Sequence, residues 1–247
     1  MLKLALTSPW NNAPIYYKAV TTSTMEDAAH LVYKKAIEGT VIMTGFQEQG
    51  RGRFTNRKWQ AMADKNLLFT LLLNQRSFSG YKRILPLLIG LAVAKTIEEL
   101  FNIRLQIKWP NDVLYKEKKI AGVLCQKTNK YYLIGAGINC NQETFSKELK
   151  NISCSLWQIF KHSIDINELL IAILNSIKLV LKDSAWKEKL EQRLYHKEKT
   201  CTVIWDYGTQ QKQFTGAIVG VGEKGELLVK SFHSTRLHKI VSGRILN

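Results

Sequence analysis

From residue 104 to residue 139 the chain reads as a succession of short strands with no helix among them, and this limits the fold more than any other feature. Residues 104–108 alternate polar and apolar. Residues 113–115 and 120–126 flank a Lys/Glu-rich turn and predict a hairpin, and residues 131–139 form a further strand. Upstream, helices and strands are separated. Residues 15–20 suit a short strand, and Ser23-Thr24-Met25-Glu26 has the capping-box spacing, which predicts a helix to about residue 37 ending near Gly39. Residues 40–44 and the continuous apolar run 67–73 read as buried strands. Residues 86–101 read as a helix with Pro86 in its first turn. Runs of strands after separated helices predict an α+β fold with a mixed, mostly antiparallel sheet and flanking helices.

Residues 165–182 predict an amphipathic helix, with Asp165 as N-cap and apolar residues at helical spacing from Leu169 to Leu181. A shorter helix is expected over 185–195. After Lys199 the texture changes to short β-rich pieces at 201–205, 214–221, 226–231 and 237–241, the pattern of a small β-barrel. The expected division is therefore 1–197 and 198–247. Residues 1–14 predict no definite element.

A hydrophobic content of 45% over 247 residues supports a sizeable core and excludes disorder as the general state. The strongest apolar run, 85–94, is too short to span a bilayer and contains a proline, so it reads as a core helix and no membrane partner is expected. None of the four cysteines makes a C-x-x-C pair, and none has zinc-ligand spacing, which predicts free thiols and a cytoplasmic setting. A net charge of +16 favours acidic partners. One expectation from it is that the cations of 187–199 steer the chain towards an acidic acceptor protein.

Four segments carry chemistry. Gly50-Arg51-Gly52-Arg53, followed by Arg57, Lys58 and Trp59, interleaves glycines that let the backbone approach a ligand with guanidinium forks that match carboxylate or phosphate oxygens. Lys108-Trp109-Pro110-Asn111-Asp112 ends a strand abruptly, and Lys119-Ile120-Ala121-Gly122 follows. Ile134-Gly135-Ala136-Gly137-Ile138-Asn139 comes next, and Ser23-Thr24 precedes them all. Each also has a bland reading: a solvated basic turn for the Gly/Arg loop and for Lys116 and Lys118, an Asn-Asp turn for Asn111, a helix cap for Ser23, and core packing for Trp59 and Trp109.

In this order and spacing the segments resemble the biotin–protein ligase family across roughly residues 15–140, and the β-rich tail resembles that family's small C-terminal domain. The resemblance implies a ligase core like that of class II aminoacyl-tRNA synthetases with an SH3-like barrel. It also implies a two-step reaction. Biotin and MgATP give biotinyl-5′-AMP, and a lysine of an acceptor such as biotin carboxyl carrier protein then takes the biotinyl group. It assigns Ser23, Thr24, Met25, Gln47, Gly50, Gly52, Gly122 and Gly135 to biotin. Arg51, Arg53 and Lys119 fall to both biotin and ATP, and Arg57, Trp59, Asn111 and Asn139 to ATP. Asp112 would position the acceptor amine. Asn139 could equally meet a magnesium ion or hold a turn, and no set of metal ligands is named. The family loop is Gly-Arg-Gly-Arg-x-Gly-Arg-x-Trp; here Phe54-Thr55-Asn56 adds one residue and removes the third glycine, and Asn56 is expected to supply the positive φ. Because the match begins near Ile15, the expectation is a ligase without an N-terminal helix-turn-helix or specific DNA binding, either monomeric or homodimeric. A lipoate ligase and a non-catalytic nucleic-acid-binding protein are the competing readings, although the scattered basic residues fit the latter poorly.

Overall fold

The computed structural model describes residues 1–54, 58–78, 83–207, 210–231 and 236–246, with only the backbone of Tyr207 and Gln210. Eight strands form one sheet: β1 (Leu2–Thr7), β2 (Pro14–Thr21), β3 (Val41–Gln47), β4 (Asn66–Asn74), β5 (Gln106–Lys108), β6 (Asp112–Tyr115), β7 (Lys118–Thr128) and β8 (Tyr131–Asn139). Their order is β1-β2-β3-β4-β8-β7-β6-β5. All neighbours pair antiparallel except β2 and β3, which run parallel because the helix α1 (Thr24–Tyr33) carries the chain back between them. The mostly antiparallel α+β sheet is as expected.

The central strands β4 and β8 pair along their full length and are buried on both faces, which explains their near-continuous apolar sequence. Residues of β4 and β8 with alternate numbers, such as Leu71, Leu73, Ile134 and Ile138, pack with the helices α2 (Leu85–Phe101) and α4 (Ile166–Val180). The opposite face, with Leu72 and Leu133, packs against Met25, Ala28 and Val32 of α1.

Some elements differ from expectation. The lead-in contains β1, whose Leu4 and Leu6 pack against the core at period two. Helix α1 stops at Tyr33 because Lys35 takes a positive φ of 60° and the Ala36 N–H turns back to Leu31 O. The short helix α3 (Leu156–Phe160), capped by Ser155, and a 3₁₀ turn at Gln75–Phe78 had no counterpart in the sequence reading. Helix α5 (Trp186–Glu191) ends early because the chain leaves it to bond alongside β5: Ile107 N–H reaches Arg193 O at 2.7 Å, and Tyr195 N–H reaches Ile107 O at 2.9 Å. Asp165 caps α4 as expected, accepting from the N–H groups of Asn167 and Glu168.

The C-terminal strands β9 (Thr200–Tyr207), β10 (Gln210–Val221), β11 (Leu227–Ser231), β12 (Leu237–Ile240) and β13 (Gly243–Leu246) form a second antiparallel sheet in the order β12-β11-β10-β9-β13. Its edge strands β12 and β13 are joined by residues 241–242 alone, so the sheet must curl to bring its edges together, as a small barrel does. Strand β13 was not expected. The barrel's buried Val203, Ile218, Leu227 and Val229 belong to the same apolar cluster as the main sheet. Trp109, 2% exposed, helps join the two parts, and its indole N–H donates to Gly225 O at 2.9 Å. Trp109→Ala is expected to cost about 3–5 kcal/mol, read as a lower urea midpoint. A midpoint within error of the parent would contradict this joining role.

All four cysteines are free, as expected. Burial pushes the Cys140 thiol up to about 12 and those of Cys154 and Cys201 up to about 11, and it raises Cys125 as well. Among the described residues no helix is long and apolar enough to cross a membrane.

Candidate active site

The face of the sheet covered by α1 is not covered along its whole width. Along β8 the residues on this face run Tyr131, Leu133, Gly135, Gly137. The first two pack near α1, and the next two have no side chain to fill the space. A cleft of about 600 Å³ opens there, floored by Gly135, Gly137 and Gly122 of β7. A Cβ would stand 2.6 Å from the rigid Trp59 ring at Gly137, and 2.7 Å from Met25 Sδ at Gly135 and 2.9 Å from Lys119 Cε at Gly122, where it would displace those two flexible side chains. Apolar groups of Met25, Val123, Leu124 and Ala136 line the same space, so it suits a largely apolar ligand.

One end of the cleft is polar. The N-terminus of α1 faces it through Ser23, Thr24 and Met25. Ser23 Oγ accepts from Met25 N–H at 3.3 Å, so the cap is real. The reciprocal half of the capping box does not form, because the Glu26 carboxylate pairs with Arg51 instead. Thr24 donates both its N–H (2.9 Å) and its hydroxyl (3.1 Å) to Gln47 Oε1, and Thr70 donates to Thr24 Oγ1 at 2.8 Å. Two donors at Oε1 fix the Gln47 amide and direct its NH₂ group towards the loop at Gly50. A ligand here meets a helix N-terminus and a set of oriented donors and acceptors.

The cationic wall is built by a strand irregularity. In the β6–β7 pair Val113 faces Ala121 but Leu114 faces Lys119, which leaves one extra residue on β7. Ile120 and Ala121, although consecutive, both enter the main core. The bulge therefore turns Lys119 to the same face as Gly122, three residues on, which a regular strand would forbid. Backbone bonds from Lys119 N–H to Ile152 O (2.8 Å) and from Cys154 N–H to Lys119 O (2.9 Å) clamp the position. Lys119 Nζ lies 2.6 Å from Asp112 Oδ1 and 5.3 Å from the Trp59 ring centre. The Trp59 indole N–H is buried and has no hydrogen-bond partner among the described residues.

The Gly/Arg loop folds back on itself through Trp59 N–H to Gly50 O at 2.9 Å and an Arg51–Lys58 bridge. Arg51, Gly52 and Arg53 line the cleft. Gly50 supports the loop rather than lining the cleft, since a Cβ there would meet Trp59 O at 2.8 Å. Arg57 and Asn56, with the positive φ expected of the latter, lie outside the described residues.

Two of the candidate nucleotide residues are occupied with backbone. Asn111 donates from Nδ2 to Val123 O at 2.8 Å, which ties the turn to β7 rather than bonding locally, and it still borders the cleft. Asn139, 3% exposed, donates to Cys154 O at 3.0 Å and ties the clamping segment to β8. Gly137 and Lys58, which stand in the chemistry-bearing segments but were given no role, also line the cleft, as does Arg244, which no sequence feature singled out. The alternating glycines of Ile134-Gly135-Ala136-Gly137 carried the signal for the first. The expected steering patch also changes character. Lys187, Lys189, Arg193 and Lys197 pair with Glu223, Asp183, Glu98 and Glu191, so most of the charge in 187–199 is neutralised. Among the described residues no group of three or more His, Cys, Asp or Glu could hold a metal ion.

Over residues 17–142, half of its length, the chain matches the Biotin/lipoate A/B protein ligase family. The bifunctional ligase/repressor BirA of Bacillus subtilis is 29% identical over 235 residues, which cover 88% of this chain and 69% of that protein. The biotin–[acetyl-CoA-carboxylase] ligase of Mycobacterium tuberculosis is 31% identical over 113 residues, 43% of this chain and 41% of that protein. The structure of the biotin protein ligase from Aquifex aeolicus in complex with biotin and ATP superposes with a TM-score of 0.82 at 30% identity, over 94% of this chain and 97% of that one. With its glycine-floored cleft, the capped helix facing it and a likeness that runs along nearly the whole length, the chain belongs to the Biotin/lipoate A/B protein ligase family and, within it, to the biotin protein ligases.

Proposed function

We propose that the cleft activates biotin with ATP and passes the biotinyl group to a lysine of an acceptor protein, the carboxyl carrier protein of a biotin-dependent carboxylase being the chemistry it fits. In the first step a biotin carboxylate oxygen attacks the α-phosphorus of ATP. The bond to the β,γ-diphosphate breaks, and pyrophosphate leaves from biotinyl-5′-AMP. In the second step the acceptor ε-amine attacks the acyl carbon and loses a proton. AMP leaves, and an amide remains.

Each residue has a role in this reading. The bicyclic head of biotin sits over Gly135 beside Met25, with Ser23, Thr24 and Gln47 supplying polar contacts. Arg51, Arg53 and Lys119 bring carboxylate and phosphate together, because positive charge between two anions lowers the barrier to their approach. Trp59, whose ring packs directly on Gly122 and Gly137, flanks the nucleotide. Asn111 and Asn139 serve the site by holding its backbone. Magnesium bound to the triphosphate would supply charge neutralisation. The cleft offers one ion-paired carboxylate, Asp112, and Glu117, which fits an ion held mainly by phosphates and water. Residues 1–197 and 198–247 are read as catalytic domain and barrel, and the free thiols support a cytoplasmic setting.

What carries the assignment is that an apolar slot, an α-helix N-terminus and the Lys119–Asp112 pair line one cleft, the helix end beside Gly135 and the ion pair beside Gly122. Only a neutral amine attacks an acyl group, and a carboxylate beside it can orient it and accept its proton. Asp112→Asn is therefore expected to slow transfer by about 10²–10³-fold while leaving pyrophosphate release much less affected. Equal losses in both steps would contradict this division of labour. The overall reading is tested with an isolated biotin-acceptor domain, MgATP and biotin, followed by intact-mass measurement. Biotin is expected on the domain's target lysine and on no site when that lysine is replaced by arginine. An acceptor left unmodified by protein that makes the adenylate would end the transfer assignment.

A further inference from the structure

Arg53 reaches out of the catalytic sheet and onto the barrel. Its Nη2 donates to Gly243 O at 2.5 Å and lies 3.8 Å from Asp206 Oδ2. These partners sit on the paired strands β13 and β9, far from Arg53 in sequence. Both are held in place. Asp206 Oδ2 accepts from Ser242 Oγ at 3.0 Å, Oδ1 accepts from Gln211 Nε2 at 3.0 Å, and Asp206 N–H donates to Ser242 O at 3.0 Å. A Cβ at residue 243 would collide with Ile204 O, so only glycine lets β13 lie this close to β9 with its carbonyl at Arg53. The Phe54 ring stands 4.5 Å from the Arg53 guanidinium and 5.9 Å from that of Arg244, which steadies the loop from the other side.

A guanidinium carries five donors in a rigid fork, so one nitrogen can be held by a carbonyl and a carboxylate while the fork still meets an anion in the cleft. A donor held in position before the ligand arrives needs little reorganisation to grip it. The Arg53 and Asp206 side chains are 25% and 23% exposed, so the pair is only partly screened by water.

We infer that Asp206 is a positioning residue of the reaction: it acts through Arg53, holding the guanidinium against the cleft so that biotinyl-AMP is retained until the acceptor arrives. The inference rests on the adenylate role given to Arg53 above. It makes the barrel a working wall of the active site, with one carboxylate as its contribution.

The test loads protein with biotin and MgATP, removes free ligand and follows escape of biotinyl-AMP for the parent, Asp206→Asn, Arg53→Gly and the double variant. Asparagine keeps the shape and can still accept from Ser242, but it drops the charge. Escape is expected to be about fivefold faster in Asp206→Asn, the size of a partly exposed ion pair. In the Arg53→Gly background the same change is expected to add nothing. A purely structural role for Asp206 would add the same factor in both backgrounds, and that result, or a parent-like rate in Asp206→Asn, overturns the inference. Where Asp206→Asn fails to fold, Ser242→Ala loosens the carboxylate without removing its charge. A smaller increase confined to the Arg53 background is expected there, and a parent-like rate overturns the inference. Parent protein that forms no adenylate overturns the ligase reading and this inference together. Parent protein that forms and holds it, with Asp206→Asn unchanged, overturns this inference alone.

Discussion

Lys119→Ala is expected to lower the rate of biotin-dependent pyrophosphate release by about 10²–10³-fold, the usual cost of removing one well-placed electrostatic donor from a reaction centre, while the thermal midpoint moves little. A large rate effect follows from the proposed place of Lys119, where negative charge would gather in both steps. The bulge at Ile120 turns it into the cleft, bonds to Ile152 and Cys154 hold its backbone, and Asp112 at 2.6 Å holds its ammonium. The stability effect is small because its side chain is one-third exposed and makes one ion pair. Lys119→Arg keeps the charge but puts a planar fork where a compact ammonium was, so only partial recovery is expected. A near-normal rate in Lys119→Ala with unchanged folding would remove Lys119 from the chemistry. A collapse of the midpoint would show that the Lys119–Asp112 pair is structural.

Arg53→Gly is expected to give a ligase that still forms the adenylate but fails to keep it. Acyl-adenylates react with amines in solution, so the escaping product is expected to label exposed lysines of any bystander protein, whereas the parent labels only its acceptor. The loss has two parts: a charge-assisted grip on the anionic ligand, and the contact that pins the Gly/Arg loop to Gly243 and Asp206 of the barrel. The readout is biotin on an unrelated lysine-rich protein, with and without excess hydroxylamine to trap free adenylate. Bystander labelling that rises at least about tenfold, the effect of about 1.4 kcal/mol of lost grip, and disappears with the trap is the expected result. Tight retention by the variant would contradict the role of Arg53.

Where side-chain period and strand length decide structure, the sequence was legible. The run 131–139 is β8 to the residue, and 86–101 covers all of α2 except its first residue, Leu85. Asp165 and Ser23 cap the helices they were expected to cap, because a cap is a local bond between neighbours. What was hidden depended on partners distant in the chain. Glu26 had the spacing of a capping box, yet its carboxylate went to Arg51, a stronger partner than its own helix N-terminus. Strand β13 is four residues long and exists because β9 has an open edge for it. The register shift that aims Lys119 follows from pairing with β6, and no feature of the Lys118-Lys119-Ile120 segment announces it. The segment was recognised through its spacing from Asp112 and Gly122, while the reason for that spacing is the bulge. Asn111 and Asn139 donate to backbone carbonyls of Val123 and Cys154, partners that only the folded chain brings to them.

The most direct test of the whole account is pyrophosphate release from MgATP with biotin, with lipoate and with neither. The cleft's glycine floor, its polar end at Thr24 and Gln47 and its cationic wall at Lys119 predict release that depends on biotin and stays at background with lipoate or with no acid. Release driven by lipoate would keep the family and the fold but contradict the biotin assignment of the cleft. Folded protein that releases pyrophosphate with neither acid would contradict adenylation itself.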